Sequence, residues 1–155
     1  MTRLNWLAIG AGIILGLIFL AAGLGKLLNP MESSIIFVFP EFLPTALDEF
    51  IFHWLPRIEI LIGVLLIAGI APKLVASLAL ALTVSLIANN GILLVQGFGD
   101  KPCGCFGEAE RLAQLSLSVT GALYIDVAML ILGFVALLFY RGKFININPW
   151  FLRRG

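Results

Sequence analysis

The apolar residues of this chain neither alternate nor keep to one helical stripe; they run on. Four stretches stand out, at about Leu4–Leu28, Trp54–Ala71, Leu74–Leu94 and Leu117–Tyr140. Roughly 20 predominantly apolar residues suffice to cross the ~30 Å hydrocarbon core of a bilayer. Lipid offers no partner to a backbone N–H or C=O, so stretches of this kind are helices. The pattern therefore predicts an all-α protein: an integral membrane four-helix bundle, one domain over residues 1–155. Between the second and third stretches only Ile70-Ala71-Pro72-Lys73 can turn the chain. Proline is well placed there, since the first residue of a helix needs no N–H, and the two helices it joins must be antiparallel.

Two longer connections remain, residues 29–53 and 95–116. The first is rich in phenylalanine and punctuated by Pro40, Pro44 and Pro56. A short amphipathic helix is expected near Thr45–Trp54, resting in the headgroups or lying as a lid over the bundle. Gly12 and Gly16 form a small-xxx-small pair on the first helix, and Gly63 and Gly69 punctuate the second; these predict close packing inside the bundle.

Composition agrees. Of 155 residues 61% are hydrophobic and 12% charged, with a mean hydropathy of +1.07; soluble domains carry about 25% charge. The net charge of +1 conceals a strong polarity. Arg3, Lys73, Arg141, Lys143, Arg153 and Arg154 fall on one side, where positive charge marks the cytoplasm. Nearly all acidic residues fall on the other. Both termini are thus expected to be cytoplasmic and both long loops external. The first stretch exceeds the 7–15 apolar residues of a signal h-region and is expected to be retained. The basic tail, beside Trp150 and Phe151, reads as an interfacial anchor and not as a nucleic-acid site.

The chemically pointed segment is Pro102-Cys103-Gly104-Cys105-Phe106-Gly107, in the second external loop, with the only two cysteines of the chain. An external face lets disulfides persist. A bridge across one residue closes a small, strained ring, and strained disulfides are the easily reduced ones. Cys103 and Cys105 are therefore candidate redox-active residues. Cys103 is the nearer to Lys101, whose cation would favour a thiolate there. A metal site would need more ligands than two thiolates and the single histidine, His53, and none is assigned. A purely structural bridge is the remaining alternative, although so small a loop removes little chain entropy.

Ionisable groups within membrane helices mark function or internal pairing. Lys26 and Glu59 lie at similar depth and predict a structural ion pair, with Arg57 a rival partner for Glu59. Asn89, Asn90, Tyr124 and Asp126 fall in the same half of the bundle, below the cysteine loop. Asp126, Asn90 and Tyr124 could line a pocket for a quinone headgroup or another redox carrier. Otherwise the asparagines serve as hydrogen-bonding glue between helices.

The order Gly16, Phe19, Ala22-Gly23, Lys26-Leu27, then Glu59, Gly63, Leu66, Gly69, then Cys103-Gly104-Cys105-Phe106-Gly107 before a last helix resembles the MauE/DoxX group of redox-associated membrane proteins, and its MauE-like branch in particular. The resemblance implies a multi-pass protein of the bacterial inner membrane, its cysteine loop facing the periplasm. It also implies a thioredoxin-like partner and a part in maturing a disulfide-rich periplasmic enzyme. The architecture is similar to that of vitamin K epoxide reductases, which couple a cysteine pair to quinone. This chain departs from them in having Cys-x-Cys and no second, shuttle pair. The function expected is a thiol–disulfide oxidoreductase or redox accessory protein. A non-catalytic subunit of a larger membrane complex and a small metal-handling or transport protein are the alternatives.

Overall fold

A computed structural model describes residues 3–28, 45–101, 103, 106 and 117–140. Regular structure among them is helical: α1 (Arg3–Leu28), α2 (Thr45–Ala68), α3 (Pro72–Val95) and α4 (Val119–Phe139). Three segments, Trp6–Leu28, Pro72–Val95 and Val119–Phe139, are long and apolar enough to cross a membrane. Their outward faces are greasy: Leu17, Leu24, Leu78, Ile131 and Leu138 are all exposed.

α2 differs from expectation. It begins at Thr45 instead of Trp54, so the expected amphipathic segment is the first part of one continuous helix. Pro56 lies inside that helix. A proline there loses one backbone hydrogen bond and crowds the carbonyl four residues back, yet helices in membranes tolerate it where neighbours compensate. The carbonyl left without its helical donor is that of Phe52; one residue on, Arg57 Nη1 donates to the backbone oxygen of His53 at 3.0 Å, and its guanidinium stands 5.7 Å from the Trp54 ring centre. α2 also stops earlier, at Ala68. Gly69, at φ 66°, adopts the left-handed conformation that ends a helix. Its N–H bonds Leu66 O at 3.2 Å and the next N–H bonds Leu65 O at 3.1 Å. Ala71, also left-handed at φ 43°, then hands the chain to Pro72 at the start of α3.

The tightest packing joins α1 to α2. A β-carbon on Gly16 would stand 2.8 Å from Gly63 O, and one on Gly63 would stand 2.7 Å from Gly16 O. One on Gly23 would stand 2.7 Å from Pro56 O, and Gly12 faces Leu66 O at 4.0 Å. As α1 runs from Gly12 to Gly23, its partners run backwards from Leu66 to Pro56. The two helices are antiparallel and share the same depths. α4 packs against both α1 and α3, while α2 and α3, although joined by the tightest turn, touch only lightly. At the crossing of α3 and α4, Leu80 occupies the space above Gly133.

The main core is built of Leu15 and Phe19 from α1, Ile62 and Leu66 from α2, Val75, Ala76 and Ala79 from α3, and Met129 and Ala136 from α4. Thr83 is buried among them, its hydroxyl donating to Ala79 O at 2.9 Å. A second, smaller apolar cluster of Leu93, Cys103, Val119 and Ala122 lies at the end bearing the cysteine loop. The polar residues of the bundle sit between the two.

Candidate functional site

Four helices each send one polar side chain to this level: Lys26, Glu59, Asn90 and Asp126, all buried. Gly23, one turn before Lys26, lets α1 approach α2 until its Cα side faces the Glu59 side chain. Lys26 Nζ then reaches Glu59 Oε1 at 2.6 Å. A charge taken from water needs a close partner of opposite sign, and here the backbone approach supplies one. Arg57 makes its contacts with Trp54 and His53 instead, on an exposed face of α2.

Across the bundle, Asn90 Nδ2 donates to Asp126 Oδ2 at 2.7 Å, tying α3 to α4. The other end of the same amide faces the cysteine loop. Asn90 Oδ1 lies 3.9 Å from Cys103 Sγ, and Cys103 is 0% exposed. Cys103 carries a disulfide bond, so its sulfur holds no proton and this approach is a contact, not a donated hydrogen bond. Cys105, the other cysteine of the sequence, falls outside the described residues.

The loop is anchored by its backbone on both sides of Cys103. Cys103 N–H donates to Leu117 O at 2.7 Å, and Val119 N–H donates to Lys101 O at 3.0 Å. Thr120 bonds Gly99 O twice, through its N–H at 3.2 Å and its hydroxyl at 3.0 Å. Ser118 caps α4 by accepting from Gly121 N–H at 3.2 Å, the placement expected of a serine N-cap. Lys101 is exposed, its ammonium 4.6 Å from the Phe98 ring centre.

Lys26, Glu59, Asn90 and Asp126 border one cavity, walled by Phe19, Ala22, Leu86, Phe106 and Met129. It leaves about 20 Å³ to the centre of a water-sized sphere. About one water requires roughly 10–15 Å³ by that measure, so the space is that of about one water. Glu59 Oε2, buried and with no hydrogen-bond partner among the described residues, belongs to this wall.

Of the residues singled out in the sequence, Lys26 meets Glu59, and Asn90 meets both Asp126 and Cys103. Tyr124 is not with them: two residues from Asp126, it projects from another side of α4 and is 74% exposed. Asn89 is half-buried and outside the cavity. Phe106, Phe19 and Gly23 were not evident as site residues. Only Phe106 carried a signal, its place beside the cysteines. Among the described residues no three His, Cys, Asp or Glu side chains gather as metal ligands would.

A helical membrane protein with a cluster of buried polar side chains beside Cys103 is the class that this fold and site define. The family model described as methylamine utilisation protein MauE matches residues 4–139, and the chain belongs to that family. No curated protein and no solved structure matches it.

Proposed function

We propose that this protein is a redox accessory of the bacterial inner membrane, in which Cys103 and Cys105 alternate between disulfide and dithiol and exchange with a thioredoxin-like periplasmic protein. The observation carrying this reading is the disulfide state of Cys103 with its sulfur buried against Asn90. A bridge confined to one intervening residue constrains too little chain to repay two cysteines as a staple. It suits exchange, in which an attacking thiolate opens the bond through a mixed disulfide. The family's name in methylamine utilisation supports a disulfide-rich periplasmic enzyme as the client. Both termini lie in the cytoplasm in this proposal, and α2, matched in depth to α1, is the fourth span.

A quinone acceptor near Asn90, Asp126 and Tyr124 would require the cavity to widen well beyond one water. The proposal is therefore confined to exchange between sulfurs.

The test is labelling of intact cells with a membrane-impermeant thiol reagent before and after mild reduction, with mixed disulfides trapped in each single Cys→Ser variant. Labelling only after reduction, and a trapped periplasmic partner, are the expected results. Full function of the Cys103→Ser/Cys105→Ser variant would overturn the proposal in favour of a scaffold role in a larger membrane complex.

A further inference from the structure

We infer that Asn90 is the positioning residue that receives Cys103 as a neutral thiol when the disulfide opens, with Asp126 fixing which end of the Asn90 amide faces the sulfur. The inference rests on the exchange reading above and assigns the two sulfurs different tasks.

An amide has a donating end and an accepting end, and a buried one is oriented by its neighbours. Asp126 Oδ2 accepts from Asn90 Nδ2 at 2.7 Å, which turns Oδ1 toward Cys103 at 3.9 Å. Oxygen lone pairs repel a thiolate and welcome an S–H donor. Burial acts the same way, because an apolar setting disfavours the charged form of a thiol. Among the described residues, the ionisable groups sharing the amide's cavity are Lys26 of α1, Glu59 of α2 and Asp126 of α4. Lys26 is held by Glu59 at 2.6 Å, and Lys101 lies over Phe98.

Exchange then runs in one direction around the pair. A thiolate of the partner dithiol attacks Cys105 Sγ, forming the mixed disulfide. The Cys103–Cys105 bond breaks and its electron pair goes to Cys103, which is protonated from water as it leaves and, as the neutral thiol, donates a hydrogen bond to Asn90 Oδ1. The second partner sulfur, deprotonated, attacks the partner's own sulfur in the mixed bond. Cys105 leaves as thiolate and is protonated from solvent. The partner is oxidised to its disulfide, the cysteine pair is reduced, and the two protons lost by the partner equal the two gained. Cys103, fully buried, is the sulfur that a protein thiolate does not reach, contrary to what its nearness to Lys101 suggests in the sequence.

The test is thiolate ultraviolet absorbance against pH in the purified full chain carrying Cys105→Ser, which leaves Cys103 as the single thiol. Asp126→Asn is isosteric but can donate as well as accept, so it frees the Asn90 amide to turn its N–H₂ to the sulfur. We expect it to raise the Cys103 thiolate-to-thiol ratio about tenfold at a given pH, and Asn90→Leu to abolish that rise in the double variant. A rise that persists without Asn90 would reduce Asp126 to a through-space charge and overturn the inference, as would no rise at all. If Asp126→Asn does not fold, the infrared S–H stretch of the Cys105→Ser protein decides. A band at the frequency of a hydrogen-bonded thiol, moving to that of a free thiol in Asn90→Leu, supports the inference; a free-thiol band with Asn90 present overturns it. Neither measurement involves a partner, so failure of the exchange reading in cells and failure here are separate results.

Discussion

Lys26 and Glu59 meet at 2.6 Å inside the bundle because Gly23 lies against Pro56 and the Glu59 side chain, with no β-carbon between them. The ion pair and the glycine contact are one feature: the backbones approach, and the two long side chains close the gap. Breaking a buried pair by removing one partner costs about 3–5 kcal/mol, whereas replacing both with apolar groups is often neutral. Lys26→Met and Glu59→Leu should each destabilise the protein by that amount in detergent. The double variant should recover most of the loss. Equilibrium unfolding of the four species of this cycle checks it.

The glycines divide by what surrounds them. Gly16, Gly23 and Gly63 face backbone oxygens that cannot move aside, so alanine at any of them should cost about 1–3 kcal/mol through overpacking. Gly10 and Gly91 have nothing within 4 Å, and alanine there should gain about 0.5–1 kcal/mol of helix stability. Thermal unfolding in one detergent would rank all five.

The turn from α2 to α3 holds two left-handed residues, and only one is glycine. Gly69→Ala should cost about 1–2 kcal/mol, and Ala71→Gly should relieve strain of the same order. Equal effects of the two changes would show that the turn conformation is not what sets them.

Ser118 couples stability to the cysteine loop. Its cap starts α4 at the point where Lys101 and Cys103 pair by backbone with Val119 and Leu117. Ser118→Ala should cost about 1 kcal/mol, roughly a fivefold rise in the open population. Alkylation of reduced Cys103 by a small reagent should quicken by about that factor. An unchanged rate would place the opening elsewhere.

Much of this was legible in the chain itself. Long uninterrupted apolar runs admit one solution in lipid, so the four long helices followed from residue type alone; three of them are long and apolar enough to span. Depth along those helices is also a matter of counting at about 1.5 Å per residue, which put Lys26 level with Glu59 and placed Asn90 and Asp126 in the same half of the bundle. The continuity of α2 through Pro56 was not legible. Proline reads as a break, and whether a helix survives it depends on what surrounds the disturbed turn.

Counting gives depth but not direction around a helix in a chain that is apolar on every side. The sequence by itself determined the helices, their order and the polar level. Only the tertiary structure decided that Lys26 takes Glu59 while Arg57 turns outward, that Tyr124 faces away from the cavity, and that Asn90 stands between Asp126 and Cys103. Those choices rest on rotation and close approach, set by glycines that meet carbonyl oxygens on a neighbouring helix.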